Sequence, residues 1–146
     1  MLGRKLNAAN LLTMRKAEII LSIIGAAVCL ATSFWLWRAI SAMQAEWPLP
    51  ALYFLEMAVL GLIIVLINLG DIPFGGMVIW GIVGLFLGFV VLGVWSVGFI
   101  YLPVTLIFAT TGVLNVRRRR QNITLPLGIC LVASLAQIGL MLLVIR

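Results

Sequence analysis

The sequence predicts an all-α integral membrane protein, a polytopic bundle of five transmembrane helices. Of its 146 residues, 64% are hydrophobic and only 10% are charged, whereas globular proteins average about 25% charged residues. No Asp, Glu, Lys or Arg lies between Ile72 and Val116, a run too long for one span of about 20 residues and suited to two. Four consecutive arginines, Arg117 to Arg120, end that run.

The first 16 residues are basic and contain several leucines. Their cations are Arg4, Lys5, Arg15 and Lys16. Two interpretations remain open for residues 1–16, an interfacial helix lying among the lipid headgroups and a basic cytoplasmic tail that sets the orientation. Span one follows over residues 17–40. We expect it to remain in the membrane, because it is longer than a signal-peptide core and no clean cleavage site follows it.

Helix-breaking residues separate the other four spans. Pro50 is placed to open span two, residues 51–69, because the N–H that proline lacks has no partner in a first helical turn. Asp71 and Pro73 are expected to form the turn that follows, and Asn68 and Asn115 are expected to act as cap or turn residues at helix ends. The remaining spans are predicted over residues 75–94, 99–116 and 124–145, with a turn at residues 95–98.

Charge predicts the orientation of these spans. Five spans place the termini on opposite sides, and a cytoplasmic N-terminus puts the basic N-terminal segment and the arginine run on the cytoplasmic side. Only Arg38 and Arg146 then lie outside, together with the C-terminus. Four spans would separate the two basic regions, so five are preferred. We expect residues 1–146 to form one membrane-embedded domain of a multi-pass protein in a bacterial-type plasma membrane.

Glycines in span three indicate a helix-packing face. Gly81, Gly84 and Gly88 recur at helical spacing, and small residues allow the close backbone approach that joins helices in lipid. Two interpretations remain open: the face packs within the bundle, or it contacts a second copy or a partner subunit.

The sequence offers no catalytic constellation. It contains no histidine and four carboxylates, and its two cysteines, Cys29 and Cys130, lie in different spans without a metal-ligand spacing. No reaction class can be assembled from these groups. We therefore expect no enzyme activity, no metal and no cofactor.

Glu56 is the candidate intramembrane polar residue. It lies about 9 Å below the predicted outer interface, counting 1.5 Å for each residue after Pro50, and an ionisable group at that depth is a candidate functional residue. Arg38, near the outer end of span one, is the expected partner, and Gln137 continues a polar stripe on span five with Cys130 and Ser134. The alternatives are a structural Glu56–Arg38 ion pair, a proton- or cation-coupled site, and a contact with a protein partner.

The arginine run also has two interpretations. Arg117, Arg118, Arg119 and Arg120 can act as a topology determinant or as a binding site for anionic lipid headgroups. Nucleic acid is not an expected partner, because the basic residues lie at span ends and are not spread over a folded surface.

Short loops and the missing reactive groups favour a non-catalytic accessory, assembly or structural component that acts through helix packing. The alternative is a small oligomeric transporter or channel with a site near Glu56 and Arg38, and an intramembrane enzyme ranks third. The expected partners are the lipid bilayer, anionic headgroups, and either another membrane protein or a second copy of the chain.

Overall fold

A computed structural model describes residues 2–42, 49–93, 98–119 and 121–145. Within these ranges the chain forms five α-helices and one short 3-10 turn, and no strand occurs. The helices are α1 (Leu2–Ala42), α2 (Leu49–Gly70), α3 (Gly75–Leu92), α4 (Leu102–Arg118) and α5 (Thr124–Ile145), and the 3-10 turn, Gly98–Tyr101, leads into α4. Five helices are long and apolar enough to cross a membrane. The predicted fold class is therefore confirmed, whereas the orientation of the termini remains a prediction.

The first helix is longer than its predicted span. It contains 41 residues, which corresponds to about 60 Å at 1.5 Å per residue. The basic segment, residues 1–16, is therefore a helical continuation of span one from Leu2 onward. Most of the predicted turn at residues 95–98 lies outside the described residues, as does the segment 43–48.

Helices α1 to α4 form a closed ring. Each of them contacts the next along the chain, and α4 packs back against α1. Helix α5 lies outside this ring and packs extensively against α3. Because α3 and α5 are separated by one antiparallel helix, they run in the same direction.

Aromatic side chains fill the centre of the ring. Tyr101, Phe86 and Phe108 are fully buried, and the ring centroids of Phe86 and Phe108 lie 5.5 Å apart. The hydroxyl groups of Tyr101 and Ser33 form a 2.7 Å hydrogen bond that satisfies this buried polar group. A close-packed aromatic core therefore holds α1, α3 and α4 together.

The glycine face of α3 is occupied by α5. A Cβ atom on Gly84 would collide with the carbonyl oxygen of Cys130, and one on Gly88 would lie 2.8 Å from that of Ser134. Gly81 packs more loosely, with the nearest side-chain atom of Ile129 at 3.6 Å from its Cβ position. Gly84 and Gly88 thus allow the backbones of α3 and α5 to approach closely, as expected for intramolecular packing.

Candidate functional site

Buried polar residues on three ring helices meet at one end of the bundle. This end, where α2 and α4 finish and α3 and α5 begin, is called the basic end below. Glu18 of α1, Asn68 of α2 and Asn115 of α4 are only 1%, 3% and 1% exposed. Each continues the buried face of its helix by one turn, as Glu18 does four residues before the buried Ser22. The ring interior is therefore polar at this end.

Arg118 links a carboxylate on α1 to a carboxylate in the turn after α2. Its Nε donates to Glu18 Oε1 at 2.9 Å and to Oε2 at 3.2 Å, and its Nη2 donates to Asp71 Oδ1 at 2.8 Å. The Asn115 amide donates to Glu18 Oε2 at 3.3 Å, and Arg119 Nη2 donates to Asp71 Oδ1 at 2.6 Å. These five residues, Glu18, Asp71, Asn115, Arg118 and Arg119, are called the carboxylate–arginine cluster.

Asp71 reaches the two arginines through an unusual backbone conformation. Its φ angle is 47°, in the left-handed region where glycine is the usual residue after a helix. The N–H of Ile72 lies 3.5 Å from the carbonyl oxygen of Ile67, as in a Schellman C-terminal motif. A charged residue thus occupies a turn position that favours glycine, and the carboxylate is directed at α4.

The arginines stabilise the charged form of Asp71. The hydrogen bond donated by Arg118 is the main cause that lowers the pKa of Asp71 below its ordinary value, and burial opposes it. The positive charges of Arg118, Arg119 and Arg15 lower the pKa further. Asp71 is therefore ionised at neutral pH and balances part of the positive charge at the basic end.

Several polar atoms at the basic end have no hydrogen-bond partner among the described residues. They include the Nε atoms of Arg15 and Arg119, the Asn68 amide nitrogen and the Asn115 amide oxygen. The Asn115 oxygen lies 3.0 Å from the position of a Cβ atom on Gly76. A glycine in the first turn of α3 therefore leaves room for the Asn115 side chain.

The cluster is suited to holding charge and joining helices. It connects α1, the turn after α2, and the last turn of α4, where cations also interact favourably with the helix dipole. Within the described ranges, no group of three or more His, Cys, Asp or Glu side chains could hold a metal ion. Both carboxylates already bind arginine, so neither is an available general base.

The structure brings together two of the three predicted intramembrane polar residues. Glu56 is half-buried and its carboxyl group interacts with the Gln137 side chain. Gln137 is 4% exposed, and its Nε2 has no hydrogen-bond partner among the described residues, so the contact with Glu56 is a loose one.

The expected Glu56–Arg38 ion pair is not formed within 4.0 Å, and that expectation is wrong. Described ion pairs join only Arg118 and Arg119 to Glu18 and Asp71. Arg38 is exposed on α1, whereas the carboxyl group of Glu56 interacts with Gln137 of α5. The predicted depth of Glu56 does not determine which neighbouring helix it faces.

The arginine run divides between two environments. Arg117 is exposed, whereas Arg118 and Arg119 are 13% and 18% exposed and belong to the cluster. Arg120 lies outside the described residues. The sequence interpretation of Asn115 as a helix-end residue missed its contact with Glu18. Thr111, Asn115 and Arg118 follow one another at helical spacing on α4, and this spacing would have placed all three on one face of the helix.

Comparison of the chain with protein-family models, curated proteins and solved structures found no match.

Proposed function

We propose that this chain is a non-catalytic membrane component, an accessory, assembly or structural subunit that binds another membrane protein through helix packing. The observation that carries the proposal is the position of α5. This helix packs on α3 outside the ring, and its outer face contains Leu131, Val132 and Leu135, which are all more than half exposed. Such a face is available to lipid or to another helix.

Two glycines on this outer face favour a helix as its occupant. Nothing lies within 4 Å of a Cβ position on Gly128 or Gly139, and the two residues stand about three helical turns apart on one face. Glycine in the middle of a helix is destabilising by about 0.5–1 kcal/mol relative to alanine. In membranes, small residues offset that cost where another helix approaches closely.

The interior of the ring supports a packing role over transport. Aromatic side chains fill its centre, and the carboxylate–arginine cluster ties its helices together at the basic end. The charged groups of the cluster are bound to one another. The same lack of reactive groups supports the proposal that the chain is not an enzyme.

A small oligomeric transporter is the second candidate, and Glu56 is the observation in its favour. A half-buried carboxyl group within a span is a candidate for proton or cation binding. Proton flux into liposomes containing the wild-type chain or Glu56→Gln separates this candidate from the first. Flux that requires Glu56 would replace the packing proposal.

Native purification tests the packing proposal. We expect gentle-detergent extraction followed by native mass analysis to yield a stoichiometric complex with another membrane protein or a second copy. Gly128→Leu and Gly139→Leu fill the outer face of α5 and should reduce the bound fraction at least tenfold. Ala27→Leu is the matched control, because Ala27 is exposed on α1, which packs against α2 and α4, whereas α5 packs against α3.

The bound fraction decides between the outcomes. A monomer with no stoichiometric partner contradicts the proposal, and so does a complex that survives both α5 substitutions. If Ala27→Leu lowers the bound fraction equally, any larger side chain on the lipid-facing surface has this effect, and the proposal that the α5 face binds the partner would be rejected.

A further inference from the structure

The basic end carries more positive charge than its own carboxylates can balance. The described side chains there include five cations, Arg15, Lys16, Arg117, Arg118 and Arg119, against two anions, Glu18 and Asp71. Three positive charges thus have no opposite charge among the described side chains of this end. At the other end, Arg38 is the single described basic side chain.

The ion pairs within the cluster leave three other cations without a carboxylate partner within 4.0 Å among the described residues. Asp71 accepts bonds from Arg118 and Arg119 through the same oxygen. Lys16 and Arg117 are exposed. Arg15 is half-buried, and its Nε is a buried atom with no hydrogen-bond partner among the described residues. The excess charge therefore belongs mainly to Arg15, Lys16 and Arg117, which are called the outer cations below.

The backbone adds to the positive potential at this end. Helices α3 and α5 both begin here, and neither has an acidic residue in its first turn. A helix N-terminus carries a partial positive charge. Both helices and the outer cations therefore favour an anionic group at the same end of the bundle.

The position of the outer cations identifies the source of that anion. Arg117 lies in the last turn of the candidate span Gly98–Arg118, and Arg15 and Lys16 lie in the second turn of the candidate span Leu11–Ala39. The level at which apolar spans end is the level of the lipid headgroups. Phosphate groups there supply the oxygen acceptors that Arg and Lys side chains bind.

We propose that Arg15, Lys16 and Arg117 bind the phosphates of anionic lipid headgroups at the basic end. The inference goes beyond the packing role and does not depend on it. It also differs from binding by the whole arginine run, because Arg118 and Arg119 are occupied by Glu18 and Asp71. A basic side chain near an anionic surface strengthens binding about fivefold.

Lipid retention in nanodiscs tests this assignment. The wild-type chain, placed in nanodiscs of equal phosphatidylglycerol and phosphatidylcholine, should retain phosphatidylglycerol preferentially when native mass spectrometry resolves the bound lipids. Lys16→Gln with Arg117→Gln should lower the preference by about 25-fold. Arg38→Gln removes an exposed cation from the other end and should leave the preference unchanged.

Further measurements distinguish a bound lipid headgroup from a free phosphate ion and from misfolding of the variants. The preference should fall as salt is raised, because exposed charges are screened, and circular dichroism should show that the variants remain folded. Inorganic phosphate should not displace the bound phosphatidylglycerol at equal phosphate concentration. Displacement by inorganic phosphate, an unchanged preference in the double variant, or an equal loss in Arg38→Gln would each overturn the proposal.

Discussion

Replacement of Arg118 by glutamine tests whether the carboxylate–arginine cluster stabilises the bundle. Arg118 binds Glu18, which is 1% exposed, and Asp71, which is 38% exposed. Among the described residues, its loss leaves the Glu18 carboxylate with the Asn115 amide as its one hydrogen-bond donor, at 3.3 Å. Removing one partner of a buried ion pair costs about 3–5 kcal/mol, whereas an exposed pair contributes about 0–1 kcal/mol. We therefore expect Arg118→Gln to lower the free energy of unfolding by about 3 kcal/mol, almost entirely through Glu18.

Reversible unfolding in mixed micelles by added dodecyl sulfate, followed by circular dichroism, measures this loss. Glu18→Gln should cost less, because the amide oxygen still accepts from Arg118 and Arg118 keeps Asp71. The double variant, Glu18→Gln with Arg118→Gln, should lose less stability than the two single variants lose together, and the difference, the coupling free energy, should be about 0.5–3 kcal/mol. Arg117→Gln is the control, since Arg117 is exposed and surface substitutions stay within about 0.5 kcal/mol. If Arg118→Gln unfolds at the same detergent ratio as Arg117→Gln, the cluster has no stabilising role.

The remaining predictions concern the turn, the helix contacts and the orientation. Arg118 lowers the pKa of Asp71, so the ionised Asp71 stabilises the fold fully above its ordinary pKa of about 4, and this stabilisation is lost as the pH falls through the lowered pKa. Asparagine tolerates the left-handed backbone conformation but does not titrate, so Asp71→Asn should lack this loss when stability is measured against decreasing pH. Gly84→Ala should cost about 1–3 kcal/mol by overpacking against α5, whereas Gly128→Ala should be neutral or slightly stabilising in the same unfolding assay. Tyr101→Phe should cost about 1 kcal/mol by removing the hydrogen bond between the Tyr101 and Ser33 hydroxyl groups, and an unchanged stability would contradict the importance of that hydrogen bond. Tags on the two termini should be labelled from opposite sides of the membrane, and labelling of both from one side would exclude five spans.

The number and placement of the helices can be predicted because insertion depends on local apolar length. Span three is predicted over residues 75–94 and observed as Gly75–Leu92, and span five agrees at both ends. The continuation of α1 through the basic segment is harder to predict, because the apolar residues of that segment show poor helical periodicity. Alanine, leucine, lysine and arginine are good helix formers, and this propensity agrees with the extension of α1 to Leu2.

The candidate site is less predictable because its contacts are distant in sequence. Glu18 and Arg118 are 100 residues apart, and Arg119 and Asp71 are 48 apart. Helical periodicity indicates which face of a helix is buried but not which helix lies opposite it. The same ambiguity applies to Glu56, whose depth follows from its own span but whose neighbour is Gln137 on α5.

Helical periodicity also explains why the arginine run participates in the core. Four consecutive residues turn through about 300° around a helix axis, so a helix that continues into such a run directs at least one cation inward. Helix α4 remains helical through Arg118, and that residue follows Asn115 on the buried face. An inward guanidinium at the end of a packed span requires an opposite charge, which Glu18 and Asp71 provide. The arginine run therefore has two structural consequences. Arg117 is an exposed positive charge, and the mostly buried Arg118 is balanced by acidic residues on α1 and in the turn after α2.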